Sequence, residues 1–214
     1  MLQEIYTFVR SSLANFDSVG AIAPSSQKLA TAITDAVAQK QGPASILEVG
    51  AGTGVFTKKL VQILGEQDEL AICELHPKFM TYLQELAKNH PNFRNFHGKL
   101  QFFNTPAQQL EGESRYDFIV SGLPLNAFPP QLVSEILGVL LRLVKPGGWI
   151  SYFEYIGVRQ IKRAYSQGEE KERINEVDRL VTDFIRRYEV YHVPVFWNLP
   201  PAYARHCQKH SELD

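Results

Sequence analysis

Cysteine is scarce in this chain. Cys73 and Cys207 stand far apart, which excludes a disulfide framework and any cysteine-based metal spacing, and no metal site is expected. Charge of one sign is equally lacking. Lys and Arg number 22 against 23 Asp and Glu, so no basic field calls for nucleic acid. No apolar run reaches the ~20 residues needed to span a bilayer. The N-terminus also lacks the basic start and apolar block of a secretory leader. These absences lead to the expectation of a protein in the cytoplasm, or bound to a membrane from that side. No internal repeat, low-complexity segment or interdomain linker is found. What remains, 214 residues at 44% hydrophobic and 21% charged, is ordinary globular composition and enough for one α/β domain.

One stretch organises the rest: Ile46-Leu47-Glu48-Val49-Gly50-Ala51-Gly52-Thr53-Gly54-Val55-Phe56-Thr57. A short apolar β run turns at glycine and continues as a helix from Val55 to about Leu64. Gly50, Gly52 and Gly54 supply positive φ and let backbone approach a ligand. The helix then presents free N–H groups and its positive dipole end. Glu48 stands two residues before the first glycine. A carboxylate there disfavours a pyrophosphate and suits a ligand bearing an ammonium group, as S-adenosylmethionine does. About twenty residues on, Leu70-Ala71-Ile72-Cys73-Glu74 is a strand ending in an acid, where a carboxylate accepts ribose hydroxyls. The plainer reading is an ordinary tight βα turn.

Along the chain, Leu2 to Phe16 reads as a helix with Leu2, Ile5, Tyr6, Val9, Leu13 and Phe16 on one face. It either covers the domain or lies in a membrane interface. Val19-Gly20-Ala21-Ile22-Ala23-Pro24-Ser25-Ser26 leads into a helix from Gln27 to Gln39, with Ser25 or Ser26 as N-cap. The same small-residue turn is a candidate to close over the substrate or over the cofactor's methionine end. After Glu74, His76 to Asn89 reads as a helix buried through Phe79, Leu83 and Leu86, with His76 as a polar lip. Leu100 to Phe103 is a third strand; Asn104, followed by Thr105, is placed to face adenine, or is simply a turn residue. Tyr116 to Val120 is a strand buried on both faces. The loop Ser121-Gly122-Leu123-Pro124-Leu125-Asn126-Ala127-Phe128 follows it, at the switch point where methyl and acceptor meet. A helix from Gln131 to Leu143, a stop at Val144 to Gly148 and a strand from Trp149 to Tyr155 come next. Beyond Gly157, Arg159, Lys162 and Arg163 form either a solvated segment or a phosphate-binding group. A helix over 173–187 precedes Val190 to Trp197 and Tyr203 to Cys207, an antiparallel pair joined by Asn198-Leu199-Pro200-Pro201.

This alternation predicts an α/β fold, with helices on both faces of a mostly parallel sheet. The whole resembles the seven-stranded Rossmann-like class I methyltransferases, whose last strand is antiparallel. It implies one domain over 1–214: an N-terminal helical lid or membrane-binding extension (1–42) and a catalytic core (43–214). The stretch Val19 to Ser26, the loop Ser121 to Pro124 with Phe128-Pro129, and Asn198 to Ala202 look like those of bacterial phospholipid N-methyltransferases. Those enzymes methylate phosphatidylethanolamine towards phosphatidylcholine, and related ones methylate ornithine lipids. Two departures are noted: Asn104 stands where the family commonly has Asp, and the N-terminal helix is poor in Lys and Arg.

The resemblance implies S-adenosylmethionine as cofactor and S-adenosylhomocysteine as product. Glu48, Gly50, Gly52, Gly54, Glu74, Leu75, Asn104, Thr105, Ser121 and Gly122 are the expected cofactor contacts. Ser25, Ser26, Leu123, Pro124, Arg159 and Arg163, with Lys162, are expected on the lipid. It further implies a monomer bound peripherally to the membrane through Leu2 to Phe16. The chemistry needs a neutral amine, since a lipid amine has a pKa near about 10 and must shed a proton before attack. Aromatic faces then stabilise the cationic product by cation–π attraction, about 1–2 kcal/mol per good contact. Tyr155 first, then Tyr152, and Ser121 from the loop are the candidates at the reacting centre, with Tyr6 a weaker one. The alternative is an adenine N6 methyltransferase acting on RNA. Its loop would open with Asn or Asp and place an aromatic residue after the proline, where this chain has Ser121 and Leu125.

Overall fold

A computed structural model describes residues 24–157 and 165–210. In chain order these form α1 (Pro24–Ile33), α2 (Asp35–Ala38), β1 (Ser45–Val49), α3 (Val55–Ile63), β2 (Glu69–Cys73), α4 (Pro77–Asn89) and α5 (Pro91–Arg94). Then follow β3 (Lys99–Phe103), β4 (Tyr116–Ser121), α6 (Pro130–Leu143), β5 (Val144–Tyr155), α7 (Gly168–Tyr188), β6 (Glu189–Val195) and β7 (Ala202–Gln208). The sheet order is β3-β2-β1-β4-β5-β7-β6. The first five strands are parallel, β7 runs antiparallel to β5, and β6 antiparallel to β7. This is the expected seven-stranded Rossmann-like sheet with an antiparallel last strand. Strand order reverses between β1 and β4, which puts the ligand crevice above their carboxyl ends.

Side-chain alternation along each strand divides the core in two. On one face Leu47, Val49, Ile119, Ile150 and Tyr152 meet α6 and α7 through Val133, Ile136, Leu140, Val177, Val181 and Phe184. On the other Ile46, Leu70, Ile72 and Val120 meet α1, α3 and α4 through Leu29, Ile33, Leu60 and Leu83.

Several boundaries differ from expectation for local reasons. α1 starts at Pro24, so Ser25 and Ser26 lie inside its first turn and neither is its N-cap; proline's fixed φ suits the first helical position. The helix pauses at Thr34, whose hydroxyl donates back to Ala30 O at 2.8 Å, and resumes as α2. In α4 the residue that turns inward is Met80, not Phe79, which packs on His76 instead. β4 is not buried throughout, because Asp117 and Phe118 are half-buried. β5 begins at Val144 and pairs with Tyr116, then skips to Phe118 opposite Trp149, so Lys145 to Gly148 bulge out of register. α7 starts at Gly168, five residues before the expected 173.

α1 is fastened to the sheet by a buried histidine. His206 Nε2 donates to Ala32 O at 3.1 Å, and its Nδ1 lies 2.9 Å from Ser151 Oγ. The backbone carbonyl can only accept, so the neutral ring carries its proton on Nε2 and accepts from Ser151. Tyr191 stacks on the ring at 4.4 Å and donates to Asp35 Oδ2 at 2.9 Å. Burial pushes the His206 pKa down. Among the described residues, no helix is long and apolar enough to cross a membrane.

Candidate functional site

The glycine bend joins β1 to α3 at the switch point. Gly50, Gly52 and Gly54 all have positive φ, as their spacing predicts. Their surroundings differ. A Cβ on Gly50 would press on the Leu123 side chain at 2.6 Å, and its φ of +71° already disfavours a side chain there. A Cβ on Gly52 would meet no atom within 4 Å. The space over Gly52 is the open side of the bend.

Glu48 faces the other way, beneath α3, with no exposed surface. Neither carboxyl oxygen makes a hydrogen bond of ordinary geometry, and neither does the Thr57 hydroxyl. Desolvation raises the Glu48 pKa to about 8, against a weaker opposing pull from Thr57, whose donors are close but not in bonding geometry. The Glu74 charge adds slightly to the rise. Glu48 therefore keeps its proton to higher pH than an exposed carboxyl does.

Glu74 closes the bend from the β2 side. Its Oε2 accepts from Gly52 N at 2.8 Å and its Oε1 from His76 N at 2.7 Å. Burial raises its pKa, and these N–H groups hold it back. A carboxylate has about four acceptor positions, so two bonds leave capacity for a diol. Asn104 spends its amide N–H groups on Glu74 O at 2.9 Å and Leu75 O at 3.1 Å. It thus braces the turn carrying the acid, with its own carbonyl oxygen left to accept. Thr105 donates to Gln109 Oε1 and accepts from Cys73 Sγ through its carbonyl. Open space over Gly52, an acid beside it and an exposed amide beyond match the parts of an adenosine.

The acceptor side is built by β4, β5 and the first turn of α3. Ser121 is fully buried and its Oγ accepts from Leu123 N at 3.3 Å, so it shapes the loop from within. Gly122 N donates to Val49 O at 2.8 Å, which presses the loop against the bend. Leu123 and Pro124 are half-buried at its mouth. Tyr152 and Tyr155 point to opposite faces of β5. Tyr152 is 1% exposed and packs edge-on against Phe184 at 6.1 Å, which puts it in the core and away from the bend. Tyr155 stays half-buried on the α3 face. There it meets Phe153 at 5.2 Å, and Phe153 meets Phe56 at 6.3 Å.

This aromatic row went unread in the sequence. Phe56 and Phe153 look like core residues by pattern, and only the i, i+2 spacing of Phe153 and Tyr155 hinted at a shared face. Equally unread was Arg205, which binds Glu154 at 2.8 Å and also Glu189, behind the end of β5. Tyr6, Arg159, Lys162 and Arg163 lie outside the described residues, as does all of 1–23. Ser25 and Ser26 stand in the first turn of α1.

Comparison with known proteins agrees with this arrangement. A family model described as a methyltransferase domain matches residues 46–148. An ornithine lipid N-methyltransferase of Singulisphaera acidiphila is 26% identical over 97% of both chains. A ubiquinone/menaquinone biosynthesis C-methyltransferase of Coxiella burnetii is 27% identical over 51% of this chain and 42% of its own length. Among solved structures, a Burkholderia thailandensis 1,6-didemethyltoxoflavin-N1-methyltransferase holding its substrate and S-adenosylhomocysteine superposes with a TM-score of 0.66. It does so at 16% identity, over 98% of this chain and 90% of that one. A SAM-dependent methyltransferase from Methanosarcina mazei gives 0.63 at 17% identity, over 81% and 95%. At such identities the structures speak for the fold.

Proposed function

The chain is a class I S-adenosylmethionine-dependent methyltransferase, and from that premise we propose that it methylates the amine of an amino lipid, either phosphatidylethanolamine or an ornithine lipid. The observation that carries this reading is the end-to-end similarity to an ornithine lipid N-methyltransferase. The aromatic row Phe56–Phe153–Tyr155 supports it, because it borders the crevice with faces suited to an amine that becomes permanently cationic.

When bound, S-adenosylmethionine supplies a methyl group activated by a sulfonium. Glu74 accepts the ribose hydroxyls, the backbone over Gly52 receives the nucleoside, and Asn104 meets the adenine with its free acceptor. Leu123 and Pro124 border the path of the acceptor. Desolvation between this loop and the aromatic row favours the neutral amine, whose lone pair must be free for in-line attack. Tyr155 faces the methylated nitrogen. Glu48, buried under α3, forms part of the floor on which the bend rests. We further propose that Leu2 to Phe16 contact the membrane surface and that Arg159, Lys162 and Arg163 hold a lipid phosphate where one is present.

The test is direct. Purified protein is incubated with labelled S-adenosylmethionine and vesicles holding phosphatidylethanolamine or ornithine lipid, in parallel with ribosomal RNA. Headgroup mass increments of one to three methyls are expected on one lipid. Label in RNA, or in neither lipid, would overturn the reading.

A further inference from the structure

The turn between β6 and β7, Phe196 to Pro201, is folded inside out. Its polar residue is buried: Asn198 is 5% exposed, its N–H donates to Val195 O and its Nδ2 to Pro200 O at 2.7 Å. Its large apolar residues point outward, with Phe196 at 65%, Trp197 at 77% and Leu199 at 84% exposure. In a turn that served only to link two strands, the opposite arrangement would cost less. Pro200 and Pro201 carry no N–H, so the tip has fewer backbone donors to strip of water.

Position gives this turn a purpose. β7 begins where β5 ends, with Ala202 opposite Tyr155, and Ile156 N donates to Pro201 O at 2.8 Å. The apolar tip therefore stands on the carboxyl edge of the sheet, beside the aromatic row and on the same edge as the crevice. Lys28, in the first turns of α1, holds its ammonium 5.3 Å from the centre of the Trp197 ring. A cation beside an exposed indole, a phenyl and a leucine matches the chemistry of a bilayer interface: an amphipathic ring at headgroup level, alkyl groups below it and anionic phosphate above.

We propose that the β6–β7 turn is a membrane-docking element: Phe196, Trp197 and Leu199 enter the headgroup region of a phospholipid bilayer, and Lys28 meets its phosphates. The inference rests on the reading of the acceptor as a lipid. It adds a contact independent of Leu2 to Phe16, and it orients the molecule. With this edge against the membrane, the crevice opens onto the lipid surface and a headgroup reaches Tyr155 without leaving the bilayer.

The chain holds two tryptophans, Trp149 and Trp197, so Trp149→Phe leaves Trp197 as a single reporter. Vesicles of phosphatidylcholine, phosphatidylethanolamine and phosphatidylglycerol with brominated acyl chains should quench its emission at least twofold and shift it to the blue. If Trp149→Phe fails to fold, the difference between wild type and Trp197→Phe reports the same quantity. The triple variant F196S/W197S/L199S should lose vesicle binding about tenfold with unchanged melting temperature. An unquenched Trp197 on vesicle-bound protein overturns the proposal, and so does a dimer that Trp197→Ser dissociates, which would make the patch a contact between copies. Lipid methylation without quenching defeats the docking element and leaves the acceptor reading intact. Quenching without lipid methylation does the reverse.

Discussion

The backbone N–H of Gly52 donates to Glu74 Oε2 at 2.8 Å, joining the glycine bend after β1 to the acid after β2. Two features separated by a helix in sequence thus act as one part. The acid is held in an accepting orientation by the same backbone that leaves room for the ligand.

Glu74→Ala should therefore weaken S-adenosylmethionine binding by about 1–3 kcal/mol through lost ribose hydrogen bonds. Gly52→Ala should weaken it as well, because the added methyl group enters the open space and the φ of +53° disfavours a side chain. The double variant should fall short of the sum, since each change also breaks the bond joining the two residues. Calorimetric titration of the four proteins checks this; strict additivity would mean that the two sites are independent.

Glu48 makes stability fall with rising pH. Its folded pKa of about 8 lies above its ordinary 4.5, so the folded chain holds the proton longer than the unfolded one. Its contribution is intact below about 4.5 and is lost as pH climbs to about 8, on the order of a few kcal/mol. Glu48→Gln should flatten that slope and be more stable than wild type at pH 8.5. Denaturant melts at pH 5 and pH 8.5 compare the two. An unchanged slope would show that the carboxyl is ionised in the folded protein.

His206 works in the opposite sense. Burial lowers its folded pKa below 6.5, so the unfolded chain binds the extra proton. Stability is full above about 6.5 and declines as pH drops below it. His206→Gln should remove this acid sensitivity and cost about 1–3 kcal/mol at pH 7.5 through the imperfectly replaced bonds to Ser151 and Ala32. Amide exchange in α1 should quicken in the same variant. Exchange confined to wild-type rates would mean that α1 is held by packing alone.

Tyr155→Phe should keep most activity and Tyr155→Leu should lose about 5- to 30-fold, the equivalent of one cation–π contact of roughly 1–2 kcal/mol. The loss should grow with each methyl added, because the last product cannot shed its charge. Ratios of mono-, di- and trimethylated lipid read this out. Equal losses at every step would assign Tyr155 to packing.

The frame was legible because its signals are local and redundant. The glycine spacing, the acid after β2 and the alternation of strands and helices each depend on neighbours within a few residues. What escaped reading depends on which face a side chain takes or on partners far along the chain. Tyr152 and Tyr155 look equivalent in sequence, yet an odd separation on one strand sends Tyr152 under Phe184 and Tyr155 against Phe153 on the other face. Ser121 looks like a reactive hydroxyl and instead braces Leu123 N. Asn104 looks like a base reader and spends its donors on the turn of Glu74. Phe56 joins Phe153 only because α3 packs on the face of the sheet that Phe153 takes.

The placement of β7 between β5 and β6 has a temporal meaning. On a ribosome, β6 emerges before its strand partner among the described residues, β7, has been made. Until then the edge of β5 lies bare, with Glu154 awaiting Arg205. Only when β7 has been made does Tyr155 gain its cross-strand neighbour Ala202, so the end of β5 is finished by the strand made after β6.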